Sequence, residues 1–379
     1  MTDPVAKKKI VFLTGTRADF GKLKSLLNQI VPHAEFDVHI FVTGMHMLSK
    51  YGSTYIEVER NEFPNIYKFI NQNHSDNMDV VLGKTIAGFS DYITEIKPDL
   101  IVVHGDRVEA MAGAIVGSLR NIKVAHIEGG EVSGTIDEVI RHSVSKLSHV
   151  HFVANQEAKN RLIQLGEHQN SIYVIGSPDL DIMASAALPT LEMVREKYEF
   201  SFATYGVVLF HPVTTESDAI SWQAEQLISS LKKSQKQYVI IFPNNDYGSQ
   251  NILDAYEKAR GNTNFRILPS MNFEHFLTLL KNAEFLIGNS SAGVRETPFY
   301  GVPSIDIGTR QNRRAKSKTI IHTDYTSENI DKAILAIAAT PREKETLFGH
   351  GNSAEAFTKI LSDESFWNIP TQKYFIDVE

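Results

Sequence analysis

Residues 99–130 read DLIVVHGDRVEAMAGAIVGSLRNIKVAHIEGG. Two short apolar runs, Asp99–His104 and Lys123–Ile127, enclose a longer stretch with helical periodicity, Arg107–Arg120. The apolar residues follow one another without alternation, which is typical of parallel strands covered on both faces. A strand, a helix and a second strand in this order predict a βαβ unit.

The same alternation extends over the first half of the chain. Further strands are predicted at Lys9–Thr14, Asp37–Thr43, His151–Ala154 and Ile172–Ile175, and helices at Ala18–Ile30, Val80–Lys97, Ile136–Ser148 and Gln156–Leu165. These elements predict a doubly wound, Rossmann-like domain over residues 1–180.

The pattern begins again in the second half. Strands are predicted at Gly206–Phe210, Tyr238–Phe242, Arg266–Leu268, Glu284–Ile287 and Ser304–Ile307, and helices at Ala219–Lys233, Gln250–Lys258, Phe273–Lys281, Val294–Tyr300 and Ser353–Leu361. A second Rossmann-like domain is therefore expected over 181–361, and we expect a C-terminal helix at about 362–379 to pack back on the first domain. Two α/β domains that face a cleft would place the ligand at the carboxyl ends of their strands.

The composition narrows the class of protein. The chain has 379 residues, of which 42% are hydrophobic and 22% charged, as in ordinary globular proteins. The apolar run Ile10–Leu13 is too short for a signal peptide, and no apolar run approaches the ~20 residues of a membrane span, so we expect a cytoplasmic protein without a signal peptide or membrane partners. The absence of cysteine excludes disulfides and thiolate zinc sites. A net charge of −7 argues against nucleic-acid binding.

The polar residues of the first half concentrate where strands end. The first loop opens a helix and carries Arg17, Asp19 and Lys22 beside a glycine, which suits an anion. It also fits an ordinary βα loop with an aspartate near a helix N-terminus.

Carboxylates follow two neighbouring strands of the same half. Asp106 and Arg107 follow one strand, Glu128 follows the next, and Asp137 comes shortly after. Crowded carboxylates raise one another's pKa, which favours proton transfer near neutral pH. A metal site and a structural Asp–Arg network are the alternatives.

The second half offers groups for a diphosphate. The loop after the strand at 284–287 is rich in small residues and leads into the helix predicted at 294–300, which has Glu296 in its first turn. The remaining candidates each follow a strand: His211, Asn244, Ser290, Ser291, Gly293 and Arg310. A lone histidine is more often a loop residue whose hydrogen bonds are made within the protein. Glu296 could simply be a negative charge that the helix dipole favours at the N-terminus of the helix.

Seven segments together resemble the hydrolysing branch of the UDP-N-acetylglucosamine 2-epimerases, a branch that includes bacterial sialic-acid enzymes and the epimerase half of a human bifunctional epimerase/kinase. They are TRADF at 16–20, HGDR at 104–107, HIEGGEVSGTID at 126–137, RH at 141–142, HPVTT at 211–215, NSSAGVRE at 289–296 and GTRQ at 308–311. The resemblance implies a GT-B-like fold and a homodimer or homotetramer.

The resemblance also implies roles for the candidate residues. Asp106, Glu128 and Asp137 are expected to be the acid/base carboxylates. Asp19 and Arg107 are expected to be further catalytic residues that contact the sugar or the phosphates. The positions expected to bind UDP or substrate are Arg17, Lys22, His211, Asn244, Ser290, Ser291, Gly293, Glu296 and Arg310. We expect no cofactor, because the implied reaction transfers no hydride and so requires no nicotinamide, and we expect no metal.

The implied reaction converts UDP-N-acetylglucosamine and water to UDP and N-acetylmannosamine, the first committed step of sialic acid biosynthesis. Loss of the C2 proton and of UDP gives a 2-acetamidoglucal, which water then hydrates. The alternatives are a hydrolysing epimerase of a UDP-2,4-diacetamido-2,4,6-trideoxy sugar, as in legionaminic-type pathways, and a non-hydrolysing epimerase. A retaining glycosyltransferase and a UDP-sugar sensor without turnover are further alternatives.

Overall fold

The computed structural model describes residues 7–49, 52–73, 76–133, 136–243, 247–311 and 317–377. The chain divides into two compact units. The first unit comprises Met1–Ala184 and Phe348–Glu379, and the second comprises Ser185–Leu347.

The first unit is built on a parallel sheet of seven strands. They are β1 (Lys8–Thr14), β2 (Phe36–Val42), β3 (Ile66–Lys68), β4 (Leu100–His104), β5 (Lys123–Ile127), β6 (Val150–Val153) and β7 (Ile172–Val174). The strand order is β3-β2-β1-β4-β5-β6-β7, so the order reverses between β1 and β4. Ligand sites of open α/β sheets lie at such a switch point.

Helices connect these strands. They are α1 (Arg17–Ile30), α2 (Tyr55–Glu59), α3 (Met78–Ile96), α4 (Val108–Leu119), α5 (Ile136–Leu147), α6 (Gln156–Gln164) and α7 (Asp179–Ala184). Helix α1 shows why they form where they do, because Thr16 caps its first turn and its leucines are buried against the sheet. Within the described residues, no helix combines the length and the apolar character that crossing a bilayer requires.

The second unit repeats the same design with a parallel sheet of six strands. Its elements are α8 (Leu191–Tyr198), β8 (Gly206–Leu209), α9 (Ile220–Ser234), β9 (Tyr238–Ile241), α10 (Ser249–Glu257), β10 (Phe265–Leu268), α11 (Phe273–Lys281), β11 (Phe285–Gly288), α12 (Glu296–Tyr300), β12 (Ser304–Ile307), β13 (Ile320–Thr323) and α13 (Ser327–Ala336). The order β10-β9-β8-β11-β12-β13 puts the switch point between β8 and β11.

The chain then returns to the first unit through α14 (Ser353–Leu361) and α15 (Glu364–Trp367). Phe357 of α14 packs edge-on against Phe152 in the core of the first unit, with ring centroids 4.8 Å apart. Asp181 accepts hydrogen bonds from the first two backbone N–H groups of α14, at 2.8 and 2.7 Å. The return therefore begins at residue 348, earlier than the predicted 362, because the apolar face of α14 completes the core of the first unit.

Candidate active site

In the first unit, Glu128 directly follows β5 at the carboxyl edge of the sheet. Its backbone is in the left-handed region, with φ of 62°, which is uncommon for a residue with a side chain. The side chain is buried, and its Oε2 accepts hydrogen bonds from Lys22 at 2.8 Å and from His104 at 3.1 Å. Oε1 accepts a hydrogen bond from Ser177. Three donors on two oxygens are the surroundings of an ionised, oriented carboxylate.

Arg141 of α5 joins two of the predicted site residues. One of its guanidinium nitrogens donates to the carboxylate of Asp106, and the other donates to the backbone carbonyl of Glu128 at 2.8 Å. Arg141 is buried, so this pairing holds the loops after β4 and β5 together at one edge. The structure thus brings Asp106 and Glu128 to a common site.

Asp19 lies at the start of α1, where its carboxylate accepts hydrogen bonds from the first loop. Its carboxylate accepts hydrogen bonds from the backbone N–H groups of Gly15, at 2.9 Å, and Thr16, at 3.1 Å, and from the Thr14 hydroxyl at 2.5 Å. Together with Thr16 it forms the capping box of α1. Asp19 therefore shapes the first loop, and direct participation in catalysis stays a prediction.

Arg107 lies among carboxylates before α4. Burial lowers its pKa, but the charges of Glu109, Asp19, Asp137 and Asp106 raise it by more. Its Nε lies 3.8 Å from Oε2 of Glu109. The guanidinium is thus held as a cation next to Asp106 and Asp137, as stabilisation of a departing diphosphate would require.

Glu109, in the first turn of α4, is a site residue that sequence reasoning missed. It is 1% exposed, and burial raises the pKa of its carboxyl. It lies beneath two glycines that leave it room, since a Cβ at Gly44 would come within 2.5 Å of its Oε1 and one at Gly15 within 2.8 Å of its Cδ. From the sequence, a glutamate in the first turn of a helix is predicted to be an exposed charge. Its burial becomes visible only through the contacts with these glycines.

The two remaining cations among the predicted site residues of the first unit are paired with carboxylates. Arg17 lies 2.6 Å from Glu57 and is 41% exposed along its side chain. Lys22 bridges Glu128 and Asp179, at 2.8 and 3.5 Å. Lys22 therefore lies with the carboxylates, and its predicted contact with UDP stays a prediction.

In the second unit, Asn289 ties the ends of β8 and β11 together at the switch point. Its side-chain oxygen accepts from the backbone N–H of His211 at 2.7 Å, and its amide nitrogen donates to the His211 carbonyl at 2.8 Å. Gly288 permits this approach, because a Cβ there would lie 1.9 Å from the carbonyl oxygen of Leu209. Asn289 belongs to one of the seven motifs, but the sequence does not show that it holds the two strand ends together. We call this pair of hydrogen bonds between Asn289 and the His211 backbone the Asn289 bracket.

His211 and Arg310 both form hydrogen bonds with Asn289. Burial, together with the nearby charge of Arg310, lowers the pKa of His211 to about 3, so its imidazole is neutral at physiological pH. Arg310 and Gln311 donate to the backbone carbonyl of Asn289, at 3.2 and 2.9 Å. A neutral histidine can both donate and accept, which suits polar recognition more than anion pairing.

The loop after β11 has the predicted small residues in a tight turn. The Ser290 hydroxyl accepts from the Ala292 N–H at 3.3 Å, and the carbonyl of Gly293 accepts from Thr297 and Ser304, at 2.9 and 2.5 Å. Ser291 begins a short 3-10 turn, and Glu296 begins α12 and is buried. The structure thus places Ser290, Ser291, Gly293 and Glu296 in one loop–helix junction.

A second bracket holds the loops after β8 and β12. The Glu216 carboxylate accepts from Thr309 at 2.5 Å and from Gln223 at 2.7 Å. Burial raises the pKa of Glu216, but hydrogen bonds from Thr309, Tyr325 and Gln223 lower it by more. Asn244, the remaining candidate of this unit, lies outside the described residues.

Comparison with known proteins gives the family. Residues 28–362 match the family described as UDP-N-acetylglucosamine 2-epimerase. A Neisseria meningitidis serogroup B protein named UDP-N-acetylglucosamine 2-epimerase is 49% identical over 98% of this chain and 99% of its own. The Legionella pneumophila UDP-N,N'-diacetylbacillosamine 2-epimerase (hydrolyzing) is 33% identical over 93% of this chain and 95% of its own.

The fold is shared with solved structures. The structure of Methanocaldococcus jannaschii UDP-GlcNAc 2-epimerase in complex with UDP-GlcNAc and UDP matches with a TM-score of 0.79 at 24% identity, covering 93% of this chain and 99% of that one. The predicted class of two Rossmann-like α/β domains is confirmed. With a family match over most of its length and a relative at 49% identity, this chain belongs to the UDP-N-acetylglucosamine 2-epimerase family.

Proposed function

We propose that this protein is a hydrolysing 2-epimerase that converts UDP-N-acetylglucosamine and water to UDP and N-acetylmannosamine. The observation that carries the proposal is the group of carboxylates at the carboxyl edge of the first sheet. Asp106 and Glu128 are joined there by Arg141, and the charges of Asp106 and Asp137 act on the cation Arg107. Removing a proton from C2 of the sugar and returning it on the other face requires such groups.

The first half of the reaction removes the C2 proton while UDP leaves from C1. A carboxylate of the first unit takes the proton, and Arg107 stabilises the charge that develops on the diphosphate. Water then adds to C1 of the resulting 2-acetamidoglucal, and a proton returns to C2. Sialic acid biosynthesis would use the N-acetylmannosamine that is released.

We assign UDP binding to the second unit, residues 185–347. The junction of Ser290, Ser291 and Gly293 offers hydroxyl and backbone N–H donors to phosphate oxygens. Glu296 supplies an acceptor for ribose hydroxyls, and neutral His211 and the cation Arg310 complete the site. We also propose a cytoplasmic homodimer or homotetramer, which size-exclusion chromatography with light scattering would test.

The hydrolysing chemistry is supported by relatives and by the motif at 126–137. The Legionella relative carries the word hydrolyzing in its name and is 33% identical to this chain. That name also favours a second candidate substrate, a UDP-2,4-diacetamido-2,4,6-trideoxy sugar. The Neisseria relative, at 49% identity, favours UDP-N-acetylglucosamine.

One experiment separates these functions. The purified protein is incubated in deuterium oxide with each donor and no acceptor, and UDP and sugar are followed by NMR. We expect UDP and free N-acetylmannosamine with deuterium at C2. A UDP-linked epimer would indicate the non-hydrolysing reaction, and UDP release that begins only when a sugar acceptor is added in a parallel incubation would indicate a transferase. A product without deuterium at C2 would refute the elimination mechanism.

Matched variants assign the carboxylates. Replacing Asp106, Glu128 or Asp137 by the corresponding amide should lower turnover by about 10²–10⁴-fold, the usual contribution of a positioned acid or base. The affinity for UDP should change little, because the second unit holds the nucleotide. If a variant loses UDP affinity together with turnover, the carboxylate that it replaces has a structural role instead.

A further inference from the structure

The segment from Gly176 to Asp181 leads from β7 into α7, where the chain is about to leave the first unit. Its backbone is fixed from two sides. The Ser177 N–H donates to the carbonyl of Phe348 at 2.7 Å, and the Ser25 hydroxyl donates to the carbonyl of Pro178 at 3.1 Å. The returning chain leaves no space here, since a Cβ at Gly349 would lie 2.7 Å from the Cα of Gly176. The position of Ser177 is therefore determined by its neighbours.

The side chain of Ser177 points from this segment to Glu128. Ser177 is fully buried, and its hydroxyl donates to Oε1 of Glu128. Lys22 and His104 donate to the other oxygen, Oε2. Both oxygens of the carboxylate thus accept hydrogen bonds, from donors in separate elements of the unit.

We propose that Ser177 is a positioning residue that orients the Glu128 carboxylate and favours its ionised form. The proposal rests on the proposed function, in which Glu128 handles a proton of the sugar. Ser177 acts only through Glu128 and touches no reacting atom. It lies outside the seven motifs, 49 residues from Glu128 in sequence.

Ser177 is a neutral hydrogen-bond donor among the charged and titratable groups around Glu128. Lys22 from α1 and His104 from β4 face the carboxylate itself, Arg141 from α5 binds the Glu128 carbonyl, and Asp179 from α7 lies 3.5 Å from Lys22. Replacing Ser177 alters no charge. A shift in the pH profile of the variant would therefore come from the lost hydrogen bond.

The test compares Ser177→Ala with Ser25→Ala in the full-length protein. Both variants loosen the same segment, but only the first removes a contact with Glu128. Steady-state UDP release is measured from pH 5 to 9 with the preferred donor, and thermal unfolding is measured alongside. For Ser177→Ala we expect kcat to fall about tenfold with KM within about twofold, the loss of one hydrogen bond to a charged group. The acid limb of the profile should move to higher pH by about one unit.

Ser25→Ala should keep the wild-type acid limb, whatever its effect on unfolding. Ser177→Thr retains a hydroxyl and should return the acid limb toward the wild-type position, even if the added methyl group lowers the melting temperature. An unshifted acid limb in Ser177→Ala, or an equal shift in Ser25→Ala, would overturn the proposal. Failure of the wild type to release UDP would be a different result, because it would overturn the proposed function as well.

Discussion

The Asn289 bracket leads to a prediction that can be worked out from its geometry. Asn289→Ala removes two hydrogen bonds, of 2.7 and 2.8 Å, and leaves the backbone N–H and carbonyl of His211 without these partners. These two hydrogen bonds are only partly buried, so we take about 1 kcal/mol for each bond, at the lower end of the range for buried groups. The second unit should lose about 2 kcal/mol of unfolding free energy.

The same change should weaken UDP binding. Without the bracket, the loop after β8 is free to move relative to the loop after β11, and the groups proposed to hold UDP are split between them. A loss of about 1.4 kcal/mol raises the dissociation constant tenfold, and we expect at least that. Titration calorimetry with UDP measures the affinity.

The stability assay can be confined to the second unit. The chain has two tryptophans, Trp222 in α9 and Trp367 in α15, one in each unit. In a Trp367→Phe background, fluorescence during urea unfolding reports the second unit. Asn282→Ala is a matched control, because its amide donates to the Thr278 carbonyl at 2.8 Å, at the end of α11.

A second variant makes the reasoning easier to refute. Asn289→Asp puts an oxygen where the amide nitrogen donates to the His211 carbonyl, so two acceptors face each other. It should be at least as destabilising as the alanine variant at pH 8, and its deficit should shrink at low pH, where a protonated carboxyl can donate. Wild-type stability and UDP affinity in both variants would show that the bracket does not hold the site.

Three further predictions follow from single residues. Glu296→Ala should raise the dissociation constant for UDP about 10- to 100-fold in calorimetry, and an unchanged constant would remove Glu296 from the nucleotide site. Glu109→Gln mimics a protonated acid, and because burial raises the pKa of Glu109, the variant should unfold at a urea concentration equal to or above that of the wild type at pH 8. Burial lowers the pKa of His149 to about 4, so the unfolded chain binds its proton first and stability falls as the pH drops from 6.5 toward 4. His149→Asn should remove about 2 kcal/mol of that loss between pH 6.5 and 5 in urea unfolding, and an unaltered pH slope would contradict the shift.

The sequence predicted the central strands well and the edges poorly. Strands such as β4 and β5 are buried along their whole length, so their apolar residues are continuous and easily recognised. The missed strands β3 and β13 lie at sheet edges, have only three or four residues and are partly exposed. Helix α8 was missed because only Val194 is buried, which leaves almost no apolar periodicity.

The site was predictable where its residues directly follow strands. Parallel strands bring their carboxyl ends to one edge, so Asp106 and Glu128 could be expected to lie together. Residues that support them could not be found this way. Ser177 follows the last strand of the sheet, at a position that the motifs do not cover, and Glu109 and Asn289 reveal themselves only through contacts with distant backbone.

Two of the buried glutamates of the first unit, Glu109 and Glu128, lie in opposite surroundings. Glu128 accepts hydrogen bonds from Lys22, His104 and Ser177, whereas Oε2 of Glu109 has no hydrogen-bond partner among the described residues and burial raises the pKa of its carboxyl. Carboxyls whose environments differ in this way can hold different protonation states at one pH, as enzymes that use both an acid and a base require. Glu109 also lies 3.8 Å from Arg107, so its protonation changes the charge beside the cation that we assign to the diphosphate. The supporting residues thus help to decide which carboxylate can act, and a motif limited to the residues that follow strands describes only part of the site.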